Sequence, residues 1–277
     1  MKHINKQAFK TALKNYWPLC MAAAATSLIL YYFSRSKDAD MLTWILTPTA
    51  RWVSILSGIS FEYLPHQGYV NHFHQFLIAP SCAGGRFMLL TFLMLNFSFW
   101  PFSLQTITSL DEKKDLKKDY LWFGFSIIFA YIATVFVNGI RIVLSIFLPG
   151  ILEKRHLLNG LLTPDRLHTL IGTVSYFTFL CVIYLLASFI RRRMFMPYAP
   201  ESAPISDGAF VRFTRHHRLS VPMFWYLLIV LALPLAKRIY LHEWEGFGQY
   251  AALILCVCAG MWAVFMIIGK IGERYGK

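Results

Sequence analysis

Charge is what this chain has least of. Only 14 of its 277 residues are acidic and 15% are charged at all, where a soluble domain carries about a quarter. That deficit excludes an ordinary soluble globular protein, because the 57% of apolar residues come in long blocks. Cysteine is scarce too. Four of the five, Cys20, Cys181, Cys256 and Cys258, lie inside apolar runs, where a thiol behaves as a small hydrophobe and no disulfide framework is implied. The C-x-C spacing of Cys256 and Cys258 is poor for a metal site. There is no internal repeat and no low-complexity tract. The first apolar run, "YWPLCMAAAATSLILYYF", leads into no clear small-residue cleavage site, so it reads as an anchor and not as a signal peptide.

What is present is a mean hydropathy of +0.49 and a formal charge of +13. The basic residues form short clusters between apolar runs, which fits charges that set membrane orientation and argues against nucleic acid as a partner. After the first anchor, five stretches can span: Gly84–Phe102, Tyr120–Val137, Leu167–Ile190, Val221–Ala236 and Gln249–Gly269. Each is near the ~20 residues that about 30 Å of hydrocarbon requires. Residues 42–61 are ambiguous. Their large apolar residues (Trp44, Ile45, Trp52, Ile55, Ile59) fall near helical spacing among polar ones, which predicts an interfacial or re-entrant helix.

The positive-inside rule decides the count. If residues 42–61 do not cross, 17 of the 27 basic residues lie on the cytoplasmic side, including "KKDLKK" and Arg191–Arg193. If they do cross, both clusters face outward. The expected fold is therefore an all-α, polytopic helical membrane protein in the inner (cytoplasmic) membrane, with about six transmembrane helices and both termini inside. Outside lies "FEYLPHQGYVNHFHQFLIA", where a Gln67-Gly68 turn followed by alternating Tyr69, Asn71, Phe73, Gln75 and Leu77 predicts a short extracytoplasmic hairpin. His66, His72 and His74 could ligate a metal there, but the alternation favours a surface strand. The chain divides into a membrane core (1–193), a proline-containing cytoplasmic linker (194–220) and a two-helix membrane extension (221–277).

Cys82 alone stands at a polar boundary, in "IAPSCAGGRFMLL" at the outer start of the second span. The third span rises to Asn138 and Arg141, and the fourth starts at His168, so Cys82, Arg141 and His168 share one membrane face. A thiol at a helix start is helped towards thiolate by the helix dipole. Histidine exchanges protons near neutral pH, and arginine offers forked donors to an oxyanion or carboxylate. Asn138, three residues before Arg141, can orient the guanidinium. Gly84 and Gly85 would let a substrate backbone approach.

Three stretches, "PSCAGGR", "NGIRI" and "RLHTLIG", together resemble the exosortase/archaeosortase family of membrane transpeptidases. The family pattern is a cysteine followed by a small residue, a glycine and, four on, an arginine; then N-x-x-R; then a histidine with glycine four residues on. It maps onto Cys82, Ala83, Gly84 and Arg86, onto Asn138 and Arg141, and onto His168 and Gly172, within about residues 15–190. The resemblance implies a cysteine protease/transpeptidase with catalytic Cys82, Arg141 and His168, supported by Asn138, Gly84, Arg86 and Gly172. Its substrates would be exported proteins ending in a sorting tail of motif, transmembrane helix and basic cluster. The new C-terminus would pass from a Cys82 thioester to an acceptor, with a lipid or a glycan as candidates, and no metal or organic cofactor would be needed. The rival readings are a non-catalytic subunit of an export or polysaccharide-assembly system, and a small transporter lined by Arg141 and His168.

Overall fold

The computed structural model describes residues 6–99, 116–154, 164–195, 220–241 and 247–275. It is mostly helical. The helices are α1 (Lys6–Ser34), α2 (Thr43–Ser57), α3 (Gly85–Ser98), α4 (Leu116–Lys154), α5 (Pro164–Phe195), α6 (Ser220–Leu227), α7 (Leu233–Leu241) and α8 (Phe247–Tyr275). A π-helical turn, Leu228–Ala232, joins α6 to α7. Five of these segments are long and apolar enough to cross a membrane: 16–34, 117–152, 166–191, 220–240 and 247–264.

The remaining predicted span is represented by α3, a helix of 14 residues. It extends about 21 Å at 1.5 Å per residue. The last residues of that predicted span, 100–102, lie outside the described residues, as do most of the "KKDLKK" loop and of the 194–220 linker. What α3 lacks in length it makes up in burial. Phe87 to Leu90, Phe92, Met94 and Leu95 are buried around its whole circumference, because α1, α4, α5 and α6 all pack on it. It is the central helix.

Contacts at the two ends fix the run of the chain. At one end Tyr16 donates to Asp119 (3.0 Å), Trp122 Nε1 to the Leu95 carbonyl (3.1 Å) and Trp225 Nε1 to Ser98 (2.9 Å), while Arg191 binds the Phe99 carbonyl. At the other, Ser34 abuts Gly85 and Arg166 donates to Gln249 (3.2 Å). So α1, α3, α4, α5, α6–α7 and α8 run alternately up and down. The two C-terminal helices share the common core: Tyr226, Ile229, Ile254 and Cys258 are buried in it with Phe177 and Cys181.

Helix α2, of 15 residues, lies along α4. Gly58 in the left-handed region (φ 72°) stops it, donating its N–H to the Ser54 carbonyl (2.9 Å). Its buried stripe is Ile45, Leu46, Thr49, Ala50 and Val53, whereas Ile55, expected on the apolar face, is 73% exposed. Trp44 and Trp52 instead stack on Tyr131 and Phe136 of α4 (centroids 5.8 and 5.4 Å).

In place of the expected single hairpin there is a three-stranded antiparallel sheet: β1 (Glu62–Leu64), β2 (Gly68–Asn71) and β3 (Phe76–Ile78), in that order. The Gln67-Gly68 turn is present. The alternation through Leu77 is interrupted by a second turn at 72–75, where His74 N–H caps on Asn71 Oδ1 (2.6 Å).

Candidate active site

From β3 the chain enters a short 3₁₀ turn, Pro80–Cys82, held by Cys82 N–H to the Ala79 carbonyl (2.8 Å) and Ala83 N–H to the Pro80 carbonyl (3.1 Å). Gly84 then caps α3 in the left-handed region, φ 76°. Only glycine adopts that conformation without strain, and a Cβ there would also come within 3.0 Å of Asn138 and Thr134. A Cβ on Gly85 would come within 3.0 Å of Ser34. The two glycines thus seat α3 against α4 and α1. Both also line the cavity beside the turn.

Asn138 is fully buried on α4 and ties the turn down: its Nδ2 donates to the Cys82 carbonyl at 2.5 Å. Its Oδ1 accepts from the Tyr176 hydroxyl (2.8 Å) and from Arg141 Nη1 (3.4 Å). Arg141 is 8% exposed. It spends three of its five N–H donors on Asn138, the Tyr176 hydroxyl (3.2 Å) and His168 Nε2 (2.6 Å). A guanidinium only donates, so His168 Nε2 accepts and a neutral ring carries its proton on Nδ1. The guanidinium also lies 5.3 Å over the Tyr176 ring. Its Nε is buried with no hydrogen-bond partner and faces Gly172, where a Cβ would sit 3.3 Å away.

Asn138, Arg141 and His168 are therefore linked side chain to side chain, and Cys82 is joined to them through its main-chain carbonyl. The Cys82 side chain is half-buried, within electrostatic reach of Tyr176, and His168 is exposed. Tyr176 is the member that sequence reasoning missed. It follows His168 and Gly172 at four-residue steps on one face of α5, the spacing that could have revealed it.

A cavity of about 680 Å³ opens beside the turn, and Arg35, Lys37, Arg86 and Arg141 line it, with no acidic side chain among the described residues. Pro80, Ser81, Ala83 and Gly84 are in its wall, whereas Cys82 is not. Away from it, Asp38, Asp40 and His66 bring ligand-type atoms within 4.8 Å of one another. His66 Nδ1 lies 3.2 Å from Asp38 and 2.9 Å from Asp40, so the imidazole is committed to bridging two carboxylates. The other two histidines of that stretch, His72 and His74, sit exposed in the β2–β3 turn.

No protein-family model, curated protein or solved structure matches this chain.

Proposed function

We propose that this protein is a membrane-embedded cysteine transpeptidase of the exosortase/archaeosortase kind, acting on exported proteins with a C-terminal sorting tail. The observation that carries the reading is the hydrogen-bonded chain from the Cys82 carbonyl through Asn138, Tyr176 and Arg141 to His168. The main chain of Cys82, the guanidinium and the imidazole are thereby tied together at one end of the bundle. With six crossings and both termini cytoplasmic, that end faces out of the cell.

In this reading the Cys82 thiol gives its proton to His168 Nε2 as the Arg141 bond to that nitrogen opens, leaving thiolate and imidazolium. The thiolate attacks a substrate carbonyl, and the donors of Arg141 not held by Asn138 and Tyr176 stabilise the oxyanion. Collapse breaks the carbon–nitrogen bond, and the leaving amine takes a proton from His168. The acceptor nucleophile then gives its proton to His168 as it attacks the thioester and releases the thiolate. The substrate tail and its acceptor are the proposed partners, with the surrounding bilayer.

The test is a timed cleavage assay in membranes containing a tailed substrate. Cys82→Ala and Cys82→Ser should both be inactive while still inserted and folded, because a serine hydroxyl lacks thiolate character at neutral pH. Processing by Cys82→Ala at near wild-type rate would leave Cys82 a packing residue and end the enzyme reading.

A further inference from the structure

Arg141 lies across three positions of α5 spaced four residues apart. Its Nη2 is 2.6 Å from His168 Nε2, its Nε runs past Gly172, where a Cβ would come within 3.3 Å, and its Nη1 is 3.2 Å from the Tyr176 hydroxyl. The guanidinium thus has one end on the imidazole and the other on the phenol. On the transpeptidase reading the first end has to open, because His168 Nε2 cannot take the thiol proton while Nη2 donates to it. The second end need not move.

The Tyr176 hydroxyl suits the task of keeping that second end in place. It accepts from Arg141 Nη1 and donates to Asn138 Oδ1 (2.8 Å), and Asn138 in turn holds the Cys82 carbonyl. The ring that carries it is itself fixed. It stacks on Phe87 of α3, with centroids 4.7 Å apart and planes 19° from parallel, and the guanidinium carbon lies 5.3 Å from its centroid. Without the hydroxyl, Nη1 would keep only Asn138 Oδ1, at 3.4 Å, against a bond of 2.6 Å from Nη2 to His168. The shorter bond is the stronger, so the guanidinium would stay on the imidazole.

We infer that Tyr176 is a positioning residue: its hydroxyl pins the Nη1 end of Arg141, so that the Nη2 end can leave His168 and turn to the oxyanion. The inference rests on the transpeptidase reading for what the released end does, whereas the pinning needs no substrate.

The experiment uses the full chain in nanodiscs, with Cys20, Cys181, Cys256 and Cys258 replaced by alanine, and reads the rate at which iodoacetamide alkylates Cys82 at neutral pH. The thiolate is the reacting species, so the rate follows transfer of the thiol proton to His168. Tyr176→Phe keeps the ring, its stack and its contact with the guanidinium, and removes the hydroxyl alone. It should slow alkylation about tenfold, and in a cleavage assay lower kcat about tenfold with KM within about twofold of wild type. Adding Arg141→Ala should bring alkylation back to at least the wild-type rate, since nothing from Arg141 then occupies His168 Nε2, while cleavage stays lost. A tyrosine that only packs would lower the thermal midpoint, leave the alkylation rate alone and gain nothing from the second substitution. An unchanged rate in Tyr176→Phe, or no recovery in the double variant, would overturn the proposal. If the wild type cleaves no tailed substrate, the transpeptidase reading fails, and alkylation still decides the role of Tyr176. Should Tyr176→Phe fail to insert, meta-fluorotyrosine at the same position, a weaker acceptor on the same ring, should slow alkylation in smaller measure; no slowing there would equally overturn the proposal.

Discussion

Arg141 separates a charge from a clamp. Lysine would keep the positive charge, but a flexible ammonium cannot bond Asn138, Tyr176 and His168 at once in one plane. On the proposed reading Arg141→Lys should therefore be nearly as damaging as Arg141→Ala, by about 10²–10³-fold or ~2.7–4 kcal/mol in a cleavage assay normalised to enzyme amount. Activity within about threefold of wild type would reduce Arg141 to an interfacial charge. Asn138 makes a different prediction. Its removal leaves the half-buried Cys82 carbonyl without that donor and Tyr176 without its acceptor, so Asn138→Ala should lose about 1–3 kcal/mol of stability, read as a lower thermal midpoint in detergent. Residue types at short spacings were enough to single out Cys82, Asn138, Arg141 and His168. Tyr176 was not legible, because a tyrosine in an apolar run carries no signal until the helix face is fixed by His168. The packing of Gly84 and Gly85 against Asn138, Thr134 and Ser34 was hidden for a related reason: a sequence shows that a side chain is missing but not which neighbour lies beside it.

Among the elements, the small sheet is held by charge. Tyr63 donates to Asp40, His66 N–H donates to the same carboxylate (3.1 Å), and the His66 ring bridges Asp38 and Asp40. The bond to Asp38, with the charge of Asp40 beside it, raises the His66 pKa above 6.5. The bonds from Tyr63 and His66 hold that of Asp40 below 3.8. The His66 contribution is thus complete below its unfolded value and is lost as pH rises through the higher folded one. The Asp40 contribution is present above its unfolded value and lost as pH falls through the lower folded one. Amide protection in β1 and β2, corrected for intrinsic exchange, should therefore fall as pH rises from the ordinary histidine value of 6.5 through the raised folded one. His66→Ala should abolish that fall; a fall that persists in the variant would assign it to another group. Hydropathy located this region outside the apolar runs, yet Asp38 and Asp40 were invisible as partners, since 28 residues separate Asp38 from His66. Helix lengths were also partly hidden. Residues 120–137 are apolar enough to stand as a span, but α4 continues through Arg141 and Pro149 to Lys154, because neighbouring helices bury the polar side chains that hydropathy counts against it.

At the scale of the whole molecule, the alternating helices and the placement of basic residues make one topology testable without any substrate. In a variant lacking the five native cysteines, a cysteine replacing Phe73, which is 89% exposed in the β2–β3 turn, should react with a membrane-impermeant maleimide added to intact cells. One replacing the exposed Lys117 at the start of α4 should react only after the membrane is opened. Labelling of Lys117→Cys from outside would invert the proposed topology and turn Cys82, Arg141 and His168 towards the cytoplasm. The helical class and the membrane character were legible from composition alone, because they depend on blocks of apolar residues and not on any one contact. The central position of α3 was not, since a helix wrapped by protein and one wrapped by lipid show the same hydropathy.

The length of α4 beyond Arg141 has a mechanical side. Thirteen further residues carry it about 20 Å past the guanidinium, with Leu144, Phe147 and Ile151 presenting exposed apolar surface along the way. The guanidinium thus has an apolar helix flank running on beyond it. On the proposed reading that flank is a rail for the substrate's membrane helix, so lengthening or shortening the stretch between that helix and the scissile bond would move the cut out of reach, whatever residues the stretch contains.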